Sequence, residues 1–178
     1  MNRSQLEHVI RASAAISGDD EIIVVGSQSI LGKFPSAPPE LCKSTEADVY
    51  PKNKPEMADL IDGSIGELSP FHDTFGYYAQ GVGPETAIVP AGWESRLIAV
   101  TNANTRGAVG WCLEPHDLVL SKYVANREKD REFAIAALRH SLVDPDELLR
   151  RVEDLPVGEV QRARIRELIE VDRATATR

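Results

Sequence analysis

The sequence predicts an α/β protein, with a core of strands and helices to about residue 113 and a helical C-terminal part. The first observation is the apolar run at residues 22–25, which is β-branched, short and ended by a glycine, as buried strands often are. The second is a series of further strand-like runs, the last at residues 110–113. The third is a change at Glu114, after which apolar residues recur at helical spacing. We therefore divide the chain into residues 1–113 and 114–178.

The predicted core begins with a helix at residues 4–16, because Leu6, Val9, Ile10 and Ala14 recur at the spacing of one helical face. A loop with three prolines at residues 34–44 follows the first strand. The other predicted elements of the core are a strand at 46–50, a helix at 55–65, an irregular stretch at 69–76, and strands at 77–82, 86–89, 96–100 and 110–113.

The C-terminal part is predicted to be helical throughout. Pro115 suits a first helical turn, and Leu118, Val119 and Tyr123 supply apolar positions; those of the next segment are Phe133, Ala137 and Leu138. On a continuous helix Lys122 and Asp130 would lie about 80° apart, close enough to share a site. Further helices are predicted from Asp144-Pro145 to Arg151 and over residues 157–169.

Composition limits the classes of protein that remain. The chain has 178 residues, 42% of them hydrophobic, which is enough for one compact core. No apolar run approaches the length of a membrane span, and the N-terminus lacks the apolar stretch of a signal peptide. Neither Cys42 nor Cys112 has metal-ligand spacing, so we expect reduced thiols and a cytoplasmic location. The net charge of −8 argues against broad binding to nucleic acid but leaves a local basic site open.

The Gly26-Ser27 pair after the first strand is a candidate phosphate-binding turn. Backbone N–H groups at a helix N-terminus attract phosphate, a serine hydroxyl adds a donor, and Gly26 would let the phosphate approach without a Cβ in the way. The alternative is that the pair only turns the chain, with Ser27 capping the helix. The sequence has neither a Walker A motif nor a dinucleotide fingerprint, which excludes the commonest phosphate loops.

The Glu46-Ala47-Asp48 segment is a candidate metal site. The strand period of two places both carboxylates on one face, and magnesium is usually held by one or two carboxylates together with substrate phosphates. The alternative is an ordinary solvent-facing side of a strand. Combined with the upstream Gly-Ser turn, the pattern favours a metal site.

Gly26-Ser27 followed by Glu46-Ala47-Asp48 resembles the signature of the DNA polymerase beta-type nucleotidyltransferase superfamily. The stretch at residues 113–130 is similar to the D-L-x-x-x-K-x-x-A-x-R-x-K-D segment of AbiEii-type nucleotidyltransferase-like toxins and their bacterial relatives. The alternative for this stretch is a solvated, salt-bridged helix face.

The resemblance implies a nucleotidyltransferase-like fold, a mixed β-sheet flanked by helices, and transfer of a nucleotide from an NTP with Mg²⁺. The acceptor would be an RNA, such as a tRNA end, or a protein side chain. The context would be a bacterial toxin–antitoxin or phage-defence system, with an antitoxin as a partner. The resemblance implies that Gly26 and Ser27 hold the triphosphate, Glu46 and Asp48 bind the metal, Lys122 contacts phosphates, Arg127 neutralises the leaving pyrophosphate, and Asp130 orients Lys122 or the acceptor.

The sequence departs from the superfamily pattern in two ways. The first acid of the pair is Glu46 rather than aspartate, and the third metal-binding carboxylate is not evident; Glu85 is the candidate for it. If no third acid converges, a catalytically silent protein that binds a nucleotide or a partner is the alternative. A small α/β structural subunit is a further alternative, and it would show neither a cleft nor clustered acids.

Overall fold

In the computed structural model, which describes residues 1–177, one mixed sheet forms the centre of the molecule. Its strands are β1 (Glu21–Val25), β2 (Glu46–Pro51), β3 (Tyr78–Gly81), β4 (Ile98–Val100) and β5 (Val109–Cys112). They are arranged in the order β3-β2-β1-β5-β4. β1 pairs with β5 and β2 with β3 in parallel, whereas the β1–β2 and β4–β5 pairs are antiparallel. The predicted mixed sheet flanked by helices is confirmed.

Helices surround this sheet and make up the rest of the regular structure. Before Glu114 these are α1 (Arg3–Ser17), α2 (Ile30–Lys33), α3 (Ala58–Ile65) and α4 (Pro70–Phe75). After it come α5 (Pro115–Ala125), α6 (Glu128–Arg139), α7 (Pro145–Arg151) and α8 (Glu159–Ala176). Within residues 1–177, no helix has both the length and the apolar character needed to cross a membrane. The division of the chain at residue 113 stays a prediction.

The two faces of the sheet have different roles. Gly110 in β5 faces α1 so closely that a Cβ there would lie 2.3 Å from Cδ1 of Ile10. The strand register places Ile22 opposite Gly110, so both contribute to the face that α1 covers. Ile23 pairs with Tyr50, and Val25 with Asp48, on the opposite face. The candidate acids therefore lie on the face away from α1.

Two of the secondary-structure predictions are wrong. The stretch at residues 69–76 is not irregular, because it contains α4, which begins after the Ser69 cap and ends at Gly76 in the left-handed conformation. Ser69, Pro70 and Gly76 are ordinary start and stop signals for a helix that is only six residues long. The strand expected at residues 86–89 is absent from the described sheet, because this stretch follows a 3₁₀ turn (Pro84–Thr86) and pairs with no strand.

Lys122 and Asp130 do not share one continuous helix, so the spacing of about 80° considered for that case does not apply. α5 ends at Ala125 because Asn126 adopts a left-handed conformation with φ of 50°, and α6 begins two residues later. Asparagine tolerates this conformation better than other side chains that carry a Cβ. The break changes the direction of the chain between Lys122 and Asp130, so their proximity depends on the junction and not on helical spacing.

The packing of α3 on β3 makes a prediction about stability. A Cβ at Gly81 would lie 2.0 Å from the backbone oxygen of Ala58, so Gly81→Ala forces the helix away from the sheet. We expect a loss of about 1–3 kcal/mol in the free energy of unfolding, measured by urea denaturation. Gly63→Ala is the control, because that position in α3 is open; it should leave stability unchanged or raise it by up to about 1 kcal/mol. Equal stability of the two variants would contradict this packing.

Candidate functional site

The candidate site is built around two acids at the start of β2. Glu46 and Asp48 lie on the same face of the strand, and Asp48 is opposite Val25 at the end of β1. Glu46 accepts a hydrogen bond of 3.1 Å from the hydroxyl of Tyr78, its partner in the parallel β2–β3 pair. Asp48 receives no hydrogen bond or ion pair from residues 1–177, although it is half-buried. It is therefore a carboxylate without a counter-ion among the described residues.

The position of the Asp48 side chain requires a glycine at residue 26. A Cβ at Gly26 would lie 1.8 Å from Oδ2 of Asp48, so the carboxylate occupies the space that a side chain would need. Gly26 also has φ of 65° and ψ of −173°, a region that is essentially restricted to glycine. The sequence-based expectation was that Gly26 clears space for a phosphate; in the structure the group beside it is Asp48.

Ser27 occupies a different kind of turn from the one expected. The residues after Gly26 form a 3₁₀ turn (Ser27–Ser29), and the α-helix that follows, α2, has only four residues. A helix this short has little dipole, so the turn lacks most of the electrostatic attraction for phosphate that was expected. What remains is the Ser27 residue itself, which lines both cavities of the site.

A cationic cluster faces the acids from the junction of α5 and α6. Nζ of Lys122 lies 3.3 Å from Oδ1 of Asp130. Nε and a terminal nitrogen of Arg127 donate hydrogen bonds of 2.6 and 3.2 Å to the same carboxylate. The Asp130 side chain is only 1% exposed. Asp130 thus holds both cations at the junction between the two helices.

Burial and charge act on the two aspartates in opposite directions. Burial and the neighbouring carboxylate of Glu46 raise the pKa of Asp48 to about 6, and the positive charges of Lys122, Lys129 and Arg127 oppose this rise only in part. Burial also acts to raise the pKa of Asp130, but its hydrogen bonds from Arg127 and the charge of Lys122 outweigh burial, so its pKa is lowered. Asp130 is a stable counter-ion, whereas Asp48 is an acid that a further positive charge would stabilise.

Two neighbouring cavities adjoin the acids. The first, here called the central cavity, has a volume of about 270 Å³. It is lined by Ser27, Ser44, Glu46, Asp48, Gln80, Val82, Thr86, Lys122, Arg127 and Lys129. The second, here called the outer groove, has a volume of about 610 Å³ and extends from Ser44 and Glu46 along α6. Of the predicted site residues, Ser27, Glu46, Asp48, Lys122 and Arg127 line the central cavity, and Asp130 lines the outer groove.

Glu85 lies apart from the acid pair. It is exposed in the turn after β3, and it does not line the central cavity, although its neighbour Thr86 does. Within residues 1–177, no three acidic, histidine or cysteine side chains converge as a metal-binding group. The described carboxylates at the candidate metal site are therefore Glu46 and Asp48, without the third that the resemblance implied.

The structure adds residues for which sequence reasoning assigned no role. Lys129 lines both cavities, and its position two residues after Arg127 in a charged stretch was a signal that was available. Tyr78 and Gln80 lie beside Glu46 and Asp48 because β3 pairs in parallel with β2. No local pattern could have identified those two, since the pairing joins strands about thirty residues apart.

Comparisons with known proteins address the family of the chain. A family model described as "Nucleotidyltransferase of unknown function (DUF6036)" matches residues 4–173, nearly the whole sequence. No significant match is found among curated proteins or among solved structures. The family-model match supports the nucleotidyltransferase resemblance, and the narrower similarity to AbiEii-type toxins stays a prediction.

The raised pKa of Asp48 predicts a pH-dependent stability in metal-free buffer. The folded protein keeps the Asp48 proton to higher pH than the unfolded chain does, so ionisation between about pH 4 and 6 costs folding free energy. Asp48→Asn should therefore gain stability relative to the wild type by on the order of 1–2 kcal/mol between pH 4 and 7. Urea unfolding with EDTA at several pH values measures this difference.

The control for this experiment is Asp130→Asn, for which the opposite sign is expected. The pKa of Asp130 is lowered in the folded protein, so its charge stabilises the fold at neutral pH and this contribution is lost only in strong acid. The Asn variant should be less stable than the wild type at pH 7, by a margin that shrinks in acid. If the free energies of unfolding of Asp48→Asn and the wild type changed in parallel with pH, the pKa of Asp48 would not be raised.

Proposed function

The chain belongs to the DUF6036 family of nucleotidyltransferases, and on that premise we propose that it transfers a nucleotide from an NTP to an acceptor with Mg²⁺. The observation that carries the proposal is the Asp48 carboxylate, which lies half-buried beside Glu46 without a described counter-ion and faces a cavity lined by three cations. An acid pair alone would repel phosphate, and cations alone would not hold a metal. Their combination in one cavity suits a metal-bound triphosphate.

The residues present fit Mg²⁺ in number and type. Magnesium is usually held by one or two carboxylates, with substrate phosphates and waters as its remaining ligands. Glu46 and Asp48 would supply the carboxylates, so a third protein acid is not required for binding. The bound ion would neutralise the acid pair and supply positive charge to the reacting phosphate.

The cations of the site would position the triphosphate. Lys129 lines both cavities and forms no ion pair within residues 1–177, so its charge is available to a phosphate. Lys122 and Arg127 are held by Asp130 at the same wall. In transfers of this type catalysis is mostly positioning and electrostatic stabilisation, which fixed cations supply at little cost in reorganisation. Asp130 is accordingly a positioning residue in this proposal.

The acceptor and the biological setting extend the proposal further. The similarity of residues 113–130 to AbiEii-type toxins supports an RNA, such as a tRNA end, or a protein as the acceptor. It also supports a cytoplasmic role in toxin–antitoxin or phage-defence systems of bacteria, with an antitoxin as a partner. The alternative is a protein of the same fold that binds a nucleotide without transferring it, which the lack of a described third acid favours.

Calorimetric titration with each of the four NTPs tests the binding step. We expect Mg²⁺-dependent binding of at least one NTP by the wild type. Binding should be lost in Glu46→Gln/Asp48→Asn, which keeps the shapes of both side chains and removes their charge. Lys129→Gln should weaken binding, while Glu128→Gln, a neighbour that lines neither cavity, should not. Failure of every NTP to bind the wild type would refute the proposal.

Transfer of radiolabelled nucleotide to RNA or protein tests the chemical step. The acid-pair variant should lose roughly 100-fold or more in rate, because a metal ion contributes several kcal/mol and each 1.36 kcal/mol is a factor of ten. Full transfer activity in a folded acid-pair variant would contradict the assignment of these residues. Binding without transfer to any acceptor would support the binding-only alternative.

A further inference from the structure

A third cavity lies beside the central cavity on the same sheet face. It is lined by Tyr50, Trp93 and Trp111 together with Ile23 and Leu97, and it is here called the aromatic groove. Its volume is about 410 Å³, within the range of pockets that hold nucleotide-sized ligands. Trp93 and Trp111 are both partly exposed, and one face of the Trp111 ring carries Nζ of Lys52, 5.0 Å from the ring centre.

The aromatic groove lies next to the candidate site along β2. Tyr50 is two residues along β2 from Asp48 and points to the same face, which separates the two Cα atoms by about 7 Å. The turn at Pro84–Thr86 borders both spaces, because Thr86 lines the central cavity and Pro84 lines the groove. A molecule that lies in the groove and extends past Tyr50 and this turn would approach the acid pair.

The wall of the groove that carries Trp93 is fixed in place. Arg96, in the same 3₁₀ turn (Trp93–Arg96), donates hydrogen bonds of 2.8 and 3.2 Å to the fully buried carboxylate of Asp117. Arg151 donates a further hydrogen bond of 2.9 Å to Asp117. On the opposite side, the indole nitrogen of Trp111 donates to Glu21 at 2.9 Å. The turn that carries Trp93 and the ring of Trp111 are thus held before a ligand arrives, which lowers the entropic cost of binding.

We propose that the aromatic groove stacks a nucleobase of the acceptor, so that the acceptor is the end of a single-stranded RNA. The inference rests on the proposed function and specifies its acceptor. Base stacking on aromatic side chains is the usual way to bind single-stranded nucleic acid. A ribose hydroxyl is separated from its base by the sugar, so a base in the groove would leave that hydroxyl near Asp48.

The order of the cavities along β2 argues against two other occupants of the aromatic groove, namely the base of the donor NTP and the side chain of a protein acceptor. The outer groove, with Lys129, adjoins the strand at Ser44 and Glu46, whereas the aromatic groove adjoins it at Tyr50. The donor triphosphate is thereby assigned to the opposite end from the tryptophans. In a tyrosine acceptor the reacting hydroxyl is attached directly to the ring. If that hydroxyl lay at Asp48, the ring would therefore lie outside the aromatic groove.

The charge around the groove favours recognition of a base over recognition of a phosphate backbone. The charged residues that line it are Lys52 and Glu94, and Lys52 already forms an ion pair of 2.8 Å with Glu21. With a net charge of −8, the chain is unsuited to a long polyanion. We therefore expect contact with one or two bases at a chain end.

Tryptophan fluorescence reports directly on this groove, because Trp93 and Trp111 are the two tryptophans of the chain. The probe is a four-nucleotide RNA of mixed sequence with a free 3′-hydroxyl. We expect saturable quenching by the RNA and a Kd raised at least about 5-fold in Trp93→Leu, with Trp111 as the remaining reporter. Trp93→Phe should lose less affinity, and Phe75→Leu, an exposed aromatic residue of α4, should lose none.

Calorimetric binding of Mg²⁺ and NTP to the same variants separates this inference from the proposed function. Trp93→Leu should bind the NTP as the wild type does. An RNA affinity that does not change in Trp93→Leu, or no quenching at all, would overturn the inference while leaving NTP binding intact. If Trp93→Leu weakened NTP binding as much as RNA binding, the groove would be assigned to the base of the donor NTP. If a tyrosine peptide quenched the fluorescence and RNA did not, the groove would be assigned to a protein acceptor. Either result would overturn the inference. Loss of NTP binding in the wild type would instead remove the proposed function, and the acceptor assignment with it.

Discussion

The arrangement of the site depends on Asp130, a buried carboxylate that binds Lys122 and Arg127 at the break between α5 and α6. Two cations left without a counter-ion would separate, since like charges repel strongly where water is scarce. Asp130 neutralises part of their charge and orients both side chains. Because the cluster lies across the cavity from Glu46 and Asp48, it also sets the electric field at the acid pair.

The position of Asp48 in the acid pair destabilises its charged form. Asp48 packs directly on the backbone of Gly26 and shares a strand face with Glu46, so burial and repulsion raise its pKa to about 6. Strain of this kind is frequent at functional sites, where a ligand supplies the missing charge. Among the described residues Asp48 has no ion-pair partner whereas Asp130 has two, so in our proposal Asp48 is available to a ligand and Asp130 maintains the arrangement of the site.

Strand β2 organises the functional surface along its length. Its face presents Glu46, Asp48 and Tyr50 in succession, and the outer groove, the central cavity and the aromatic groove follow one another beside these residues. A single extended strand therefore spaces a cationic region, an acidic centre and an aromatic region at regular intervals. This linear order is the basis for assigning the donor and the acceptor to opposite ends of the site.

The strands at 22–25, 46–50 and 110–113 and the shared face of Glu46 and Asp48 could be predicted from the sequence, because strand periodicity and glycine stops act over a few residues. The proximity of Lys122 and Asp130 was predicted for the case of a continuous helix, whereas in the structure it depends on the left-handed Asn126 between two helices. The role of Gly26, the parallel pairing that brings Tyr78 to Glu46, and the separation of Glu85 from the acids were decided only in the tertiary structure. Each is a contact between segments distant in the chain, where packing and burial, rather than local conformational preference, determine which groups meet.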